Sequence, residues 1–363
     1  KIDLVFVAPD DPLAAGMVDA LEAEGIRAFG PKKAAAEIEA SKVFSKNLMK
    51  KYGIPTADYQ VFDNSKDALD YVVNNNMAPV VVKADGLALG KGVLICQTVE
   101  DAKAAIHSIM DDKKFGESGS RVVIEEFLTG PEVSVLSFTD GKCVKPMVSS
   151  KDHKRALDGD KGLNTGGMGT ISPNPYYTDE MAEICRKTIF EPTIEAMNKE
   201  GRTFKGCLYF GLMLTPKGPK VIEYNARFGD PETQVVLPRL ETDLVDICEA
   251  VIDGTLGDLD IKWKKGAAAC VVMASGGYPE SYKKGIEMSG LDEKGGVEGA
   301  IVYHAGTKLE NGKFYTNGGR VLGVTAVDDT LEGALKKAYE AVEKISFEGA
   351  HYRKDIGTCP VIV

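Results

Sequence analysis

The stretch Val80-Val81-Val82-Lys83-Ala84-Asp85-Gly86-Leu87-Ala88-Leu89-Gly90-Lys91-Gly92-Val93 constrains this chain more than any other. An apolar strand delivers a lysine at its end, glycines follow at 86, 90 and 92 around a second lysine, and a new strand begins. Glycine lets backbone N–H groups approach an oxyanion closely, and lysine supplies a point charge for phosphate. Two well-known phosphate patterns do not fit. The P-loop needs four residues between its first glycine and Gly-Lys, then Ser or Thr and a helix. Here three residues separate Gly86 from Gly90, Gly92 follows Lys91, and the pattern turns to strand. The order Gly-x-x-x-Gly-x-Gly also fails the dinucleotide fingerprint. By itself the stretch is either a phosphate-handling loop or a glycine-rich hairpin turn with solvated lysines.

Composition narrows the function classes. Of 363 residues 39 are glycine, 44% are hydrophobic and 27% charged, which excludes a disordered or fibrous chain. No apolar run approaches a membrane span. The net charge of −10 makes a general binder of nucleic acid or anionic lipid a poor reading, although local basic clusters can hold a phosphorylated small molecule. The 7 cysteines are odd in number and form no Cys-x-x-Cys pair, which fits free thiols in a reducing cytoplasm. The 4 histidines have no cysteine at zinc-ligand spacing.

The pattern along the chain predicts three parts. Residues 1–40 read as strand, helix, strand and short helix, half of a doubly wound α/β unit. The helix is predicted to run from Asp11-Pro12 to about Glu24. Residues 41–255 form a second part, with a smaller subdomain at 57–128. It opens with a helix from Ser41 to Tyr52, closed by Gly53. It also holds a long polar loop from Ser150 to about Pro175 and a helix over Asp179–Lys199. Residues 256–363 read as short, mostly antiparallel strands with turns such as Asn311-Gly312, closed by a helix over Leu331–Ile345.

Three further stretches carry chemistry. On a strand, Glu223, Asn225 and Arg227 share one face. Glu and Asn oxygens suit Mg²⁺, which completes its shell with water and phosphate, and Arg227 suits a transferred phosphoryl group. The alternative is a half-exposed strand with a polar face. The loop Asp152-His153-Lys154-Arg155, then Asn164-Thr165-Gly166-Gly167-Met168-Gly169, places a basic cluster beside glycines. Such a loop suits a phosphorylated substrate, or is a solvated insertion. Glu125-Glu126-Phe127-Leu128, with Glu132 beyond Gly130-Pro131, can form an adenosine hinge, but taken alone surface glutamates at a strand end explain the stretch better.

Taken in this order, the elements resemble those of ATP-grasp ligases and, more specifically, the phosphoribosylamine–glycine ligase family of purine synthesis. The similarity rests on Phe29-Gly30-Pro31 to Ser41-Lys42, on Lys83 to Gly92, on Asp152 to Arg155, on Asn164 to Gly169, and on Arg227-Phe228-Gly229-Asp230-Pro231-Glu232-Thr233-Gln234. It runs nearly the whole length. It implies an α/β and α+β multidomain fold: an ATP-grasp domain, a partial N-terminal α/β domain and a small, mostly antiparallel C-terminal domain. By the resemblance Lys42 and Lys83 contact ATP phosphates, and the loop through Gly90, Lys91 and Gly92 closes over them. Glu125, Glu126, Phe127 and Leu128 line the adenine and Glu132 the ribose. Glu223 and Asn225 match the ligands of Mg²⁺, with Mn²⁺ as a substitute. Asp152, His153, Lys154 and Arg155, with Asn164, Thr165, Gly166, Gly167 and Met168, face phosphoribosylamine. Arg227 and Asp230 match positions near the reacting glycine and phosphate.

The implied chemistry is transfer of the ATP γ-phosphoryl to glycine, then attack by the amine of phosphoribosylamine. Small-molecule substrates, a cytoplasmic setting, no nucleic acid and no membrane follow from the same resemblance; a monomer is compatible with it. Two departures stand out. The family's first βα unit, with its Gly-Gly-Gly-Gly-Arg-Glu-His-type loop, has no counterpart here, so the resemblance implies a chain that binds Mg·ATP and turns over poorly. The ending Gly357-Thr358-Cys359-Pro360-Val361 also differs. The alternatives are another ATP-grasp carboxylate–amine ligase, or a nucleotide-binding relic without activity.

Overall fold

The computed structural model describes residues 2–88 and 91–358. Gly90, expected in the phosphate loop, and Cys359-Pro360-Val361 lie outside the described residues. Contacts divide the chain into two compact units. The first holds Lys1–Met147, Thr178–Phe228 and Leu244–Asp260; the second holds Val148–Tyr177, Gly229–Asp243 and Ile261–Val363.

The first unit opens with the expected parallel pair, Leu4–Phe6 on Arg27–Phe29. The helix expected between them is broken. Gly16 takes φ 95° and its N–H closes the turn on Pro12 and Leu13, leaving helices Asp10–Ala15 and Met17–Ala23. Left-handed backbone ends a helix, and glycine reaches it without a Cβ clash. Helix Lys33–Ala40 follows, and the chain turns at Ser41 into helix Lys42–Tyr52. The Ser41 hydroxyl accepts the Phe44 N–H, and Gly53 at φ 68° closes the far end, so both predicted boundaries hold.

Two antiparallel sheets make up the rest of this unit. The smaller runs in the order Tyr59–Phe62, Val122–Glu126, Val80–Ala84, Val93–Cys96. Its buried face (Val80, Val82, Val122, Ile124) packs on Ala68 and Val72 of helix Ser65–Asn74 and on Ala102 and Ile106 of helix Val99–Ile106. The other sheet runs Gly218–Asn225, Gly206–Thr215, Glu132–Thr139, Val144–Pro146. The helix expected over Asp179–Lys199 forms, with one wide turn at Arg186–Phe190. Pro192 lacks the N–H that would bond back to residue 188, which accounts for the local slip in register. That helix meets the sheet through Phe190 on Phe210, ring centroids 4.4 Å apart, and through a hydrogen bond of 2.9 Å between Thr193 Oγ1 and the Tyr224 hydroxyl.

The second unit is built on an antiparallel sheet in the order Ile301–His304, Arg320–Asp328, Ala267–Ala274, Gly169–Ser172, Lys151–Asp152. Helix Leu331–Val342 covers it with Ala334, Ala338, Ala341 and Val342. The stretch read from sequence as a long polar loop is therefore about half strand. Lys151–Asp152 and Gly169–Ser172 extend the C-terminal sheet, and Arg155–Leu157 pairs with Lys161–Asn164 as a hairpin. Its polar side chains hid this, and one of its strands, Gly169–Ser172, finds its partner Ala267–Ala274 far along the chain. Among the described residues no helix is long and apolar enough to cross a membrane.

Candidate active site

In the first unit the cationic side chains gather around one carboxylate. Strand Val80–Ala84 delivers Lys83, and the neighbouring strand Val122–Glu126 delivers Glu125. Lys83 Nζ lies 2.9 Å from Glu125 Oε1 and donates to the Ile222 carbonyl at 3.0 Å. Lys46 Nζ lies 2.8 Å from Glu125 Oε2 and donates to Thr56 Oγ1 at 2.8 Å. The Thr56 hydroxyl donates in turn to the Val221 carbonyl. These three side chains are almost fully out of water, at 2%, 3% and 3% exposure for Lys46, Lys83 and Glu125. Burial lowers the Lys46 ammonium to about 8, against the attraction of Glu125 and with the repulsion of Lys83. Two ammonium groups on one carboxylate leave a net positive charge in a low-dielectric place, the condition that attracts an anion.

Lys42 joins this group from the first turn of helix Lys42–Tyr52. Its Nζ donates to the Gly86 carbonyl at 3.1 Å. Burial pulls its ammonium below the ordinary value; the charges of Glu223, Asp85 and Glu39 oppose this and that of Lys83 adds to it. Asp85 ties the helix to the start of the glycine loop. Its Oδ1 accepts from Ser41 Oγ and the Val43 N–H, its backbone carbonyl accepts the Lys42 N–H, and its Oδ2 pairs with Arg121. Gly92 is held close: a Cβ there would come within 2.7 Å of the Ala88 Cβ. Lys91 is exposed, with its N–H on the Ala88 carbonyl.

Strand Gly218–Asn225 brings Glu223 and Asn225 to this group. The two residues sit two apart on one strand, opposite Gly211 and Tyr209. Gly211 leaves room for Glu223, since a Cβ there would lie 3.0 Å from Glu223 Cγ. Arg227 lies just past the strand; its Nη1 donates to the Phe228 carbonyl at 3.0 Å and its Nη2 lies 3.2 Å from Glu39 Oε1. Among the described residues no cluster of three His, Cys, Asp or Glu side chains is placed to enclose a metal. The end of strand Gly218–Asn225 offers one carboxylate and one amide oxygen beside buried lysines. That set fits Mg²⁺ brought in on a polyphosphate, where water and phosphate oxygens fill the remaining positions.

The hinge residues fall along the link between the two sheets. Glu126 pairs with Lys220 at 3.0 Å, Phe127 and Leu128 are half-buried, and Glu132 opens strand Glu132–Thr139 on the exposed side. Gly130 sits against the other sheet so closely that a Cβ would meet the Leu214 carbonyl oxygen at 2.1 Å. Glu125, expected with the adenine-lining residues, has its carboxylate on the two lysines instead.

The second unit holds the remaining predicted residues. Asp152 Oδ1 accepts the His153 N–H at 2.7 Å. Burial and then the Glu232 charge raise the Asp152 carboxyl well above the usual range, against Lys154 and Arg320. Arg155 donates to the Gly162 carbonyl, while Asn164 faces Arg155 across the hairpin. Thr165 donates to the Lys154 carbonyl and its Oγ1 accepts the Gly167 N–H. Gly167 takes φ 113°, with Pro231 Cδ 2.3 Å and Asp152 Oδ1 2.7 Å from where a Cβ would stand. Asp230 Oδ2 lies 2.7 Å from Arg320 Nη2, and Arg320 Nη1 also donates to the Gly166 carbonyl at 2.6 Å.

Two of these residues do not offer what was expected of them. His153 is 3% exposed, with Nδ1 3.0 Å from the Gly169 carbonyl and Nε2 3.1 Å from the Gly357 N–H. A carbonyl requires Nδ1–H and an N–H requires a bare Nε2, so the ring is the neutral Nδ1–H tautomer with no nitrogen left for a ligand. Burial pushes it down to about 4. The Met168 side chain is fully buried, so only its backbone can border the loop.

Sequence reading missed Lys46, Glu39 and Arg320. Lys46 had a signal: it stands four residues after Lys42 on one helix face. Glu39 and Arg320 had none, since their partners come from distant segments.

Family models for the phosphoribosylglycinamide synthetase N domain, ATP-grasp (A) domain and C domain match residues 1–39, 40–233 and 268–359. The chain belongs to the phosphoribosylglycinamide synthetase family. A phosphoribosylamine–glycine ligase of Clostridium acetobutylicum is 51% identical over 357 residues, covering 98% of this chain and 85% of that protein. The crystal structure of phosphoribosylamine–glycine ligase from Thermotoga maritima superposes with a TM-score of 0.81 at 38% identity, over 91% of this chain and 82% of that one. The biotin carboxylase domain of Hydrogenobacter thermophilus 2-oxoglutarate carboxylase, solved with MgADP, shares the fold alone: TM-score 0.73 at 17% identity, over 96% of this chain and 76% of that one. Membership establishes the ATP-grasp architecture and the ligase class for this chain.

Proposed function

We propose that this chain ligates glycine to 5-phosphoribosylamine with ATP, giving glycinamide ribonucleotide, ADP and phosphate in purine synthesis. The observation that carries this reading is the meeting of Lys42 and Lys83 with the strand bearing Glu223 and Asn225, through Lys83 on the Ile222 carbonyl and through the mutual influence of the Lys42 and Glu223 charges. The names of the relatives at 51% and 38% identity support the choice of substrates.

In this reading Lys42 and Lys83 hold the ATP phosphates, and Lys91 and the glycines beside it border them. Glu126, Phe127, Leu128 and Glu132 lie along the nucleotide, with Glu125 keeping Lys83 in place. Glu223 and Asn225 would hold Mg²⁺, or Mn²⁺ in its place, which would supply positive charge at the phosphate oxygens. The glycine carboxylate takes the γ-phosphoryl, giving glycyl phosphate and ADP. The amine of phosphoribosylamine attacks that carbonyl, the C–N bond forms, and phosphate leaves with the carboxylate oxygen. Such transfer asks the protein for positioning and positive charge. Arg227 serves the reacting phosphoryl group. In the second unit Asp152, Lys154, Arg155, Asn164, Thr165 and Gly166–Gly167 take the phosphoribosylamine side, with Asp230 held by Arg320. His153 and Met168 support that loop from beneath.

The division into 1–40, 41–255 and 256–363 belongs to the same proposal, supported by the family segments. A cytoplasmic setting is supported by the six free cysteines among the described residues. The test is ADP release with glycine and phosphoribosylamine supplied and withheld in turn. Dependence on both is expected. ADP release that is indifferent to glycine, or that answers to a different carboxylate in a panel, would overturn the reading. ATP binding with no turnover would point to the relic.

A further inference from the structure

Glu39 is a buried carboxylate that the proposed mechanism does not use. It stands near the end of the alanine-rich helix Lys33–Ala40 and is 8% exposed. Its two oxygens collect three consecutive residues from the end of strand Gly218–Asn225. Oε1 accepts Asn225 Nδ2 at 3.1 Å and lies 3.2 Å from Arg227 Nη2; Oε2 accepts the Ala226 N–H at 2.7 Å. Asn225 Nδ2 also donates to the Tyr224 carbonyl at 3.0 Å.

These contacts decide which way the Asn225 amide points. Both of its hydrogens face acceptors, one a carboxylate and one a carbonyl. Turning the amide over would set Oδ1 against two oxygens with no hydrogen between them, and buried acceptors placed that way are strongly unfavourable. The amide nitrogen is therefore fixed toward Glu39, and Oδ1 is turned the other way. We propose that Glu39 is a positioning residue for the ligase reaction: it presents Asn225 Oδ1 as an oxygen ligand beside Glu223 and holds Arg227 by the same carboxylate. This rests on the reading of Glu223 and Asn225 as metal ligands given above. A carboxylate suits the task because three donors converge on it and both of its oxygens accept. A glutamine there would turn a donor toward one of them.

The test is a swap of donor and acceptor. Mn²⁺ binding is followed by electron paramagnetic resonance with a non-hydrolysable ATP analogue present, and thermal unfolding is recorded for each chain. Glu39→Gln frees the amide to turn, and Asn225→Asp sets carboxylate against carboxylate. Each single change is expected to weaken Mn²⁺ binding about 10- to 100-fold, the usual effect of removing a group that orients a ligand. Affinity for the analogue without metal is expected to stay put. The double variant E39Q/N225D restores the hydrogen bond between 39 and 225 in reverse, while the Tyr224 carbonyl then faces a carboxylate oxygen and Arg227 Nη2 an amide N–H. The introduced amide donates to the introduced carboxylate and accepts from the Ala226 N–H, and the second oxygen of that carboxylate remains for the metal. Its Mn²⁺ affinity is expected to exceed that of either single variant, a departure from additivity. A merely structural role for Glu39 gives no such rescue. Single variants with the parent's Mn²⁺ affinity, or a double variant as weak as the sum of the two, would overturn the proposal. Should E39Q not fold, Glu39→Asp keeps the charge but falls one methylene short, and parental Mn²⁺ affinity there would overturn it as well. If the parent chain itself shows no nucleotide-dependent Mn²⁺ signal, the reading of Glu223 and Asn225 as ligands fails first and takes this inference with it.

Discussion

Lys83 and Glu125 face each other at 2.9 Å, on neighbouring strands and almost entirely out of water. The contact matters because the carboxylate also serves Lys46 at 2.8 Å. One anion serves two cations. Replacing Glu125 with Gln leaves two buried ammonium groups without their counter-charge, and breaking a buried ion pair from one side costs about 3–5 kcal/mol. Chemical denaturation of E125Q should show a loss of that order together with weakened ATP binding. Stability equal to the parent would contradict the burial of the trio.

Lys42 and Lys83 are expected to act on the nucleotide, and their removal should be felt there first. Each charged hydrogen bond is worth about 1.5–3 kcal/mol, so Lys42→Met should lower kcat/KM for ATP about 10- to 100-fold. Lys83→Met also removes the anchor to the Ile222 carbonyl and should do at least as much. Steady-state kinetics at saturating glycine check this. An ATP KM and kcat like the parent's in either variant would remove that lysine from the site.

Gly167 gives a test confined to the second unit. At φ 113°, with Pro231 Cδ only 2.3 Å from a Cβ position, Gly167→Ala must move the loop or strain it by about 1–3 kcal/mol. The expected result is a raised KM for phosphoribosylamine with ATP binding unchanged, read by kinetics and by calorimetry with an ATP analogue. A parental KM would show that the loop does not meet that substrate.

His153 sets a direction for acid stability. In the folded chain burial pushes it down to about 4, while the unfolded chain titrates near 6.5. Between those values the unfolded state carries a proton that the folded state does not, so stability falls as pH drops from 6.5 toward 4. The full shift corresponds to a loss on the order of 3 kcal/mol. His153→Gln, read by urea melts at about pH 7 and pH 5, should flatten that slope. An equal slope in both proteins would contradict the neutral, doubly bonded ring.

Local rules gave much of this molecule. Ser41 and Gly53 marked the ends of helix Lys42–Tyr52, because a hydroxyl cap and a left-handed glycine act within a few residues. The apolar run ending at Lys83 was legible as a strand, and Glu223 and Asn225 were legible as one face of another. The local reading gave way in two places. Gly16 split a helix whose pattern reads as continuous. The polar segment after Ser150 became sheet, because Gly169–Ser172 found Ala267–Ala274 as its neighbour.

The order of residue types along the chain was enough to determine the family and the ligase chemistry, and to propose a short list of groups for it. Local backbone preferences and motif spacing depend only on near neighbours, and those are written in the sequence. Tertiary structure alone decided what each polar group does once water is excluded: that Glu125 holds two lysines, that Glu39 turns the Asn225 amide, and that His153 spends both ring nitrogens on the main chain. A buried charge or donor must find its partner wherever the fold supplies one, and that partner is fixed by packing between segments far apart in the chain.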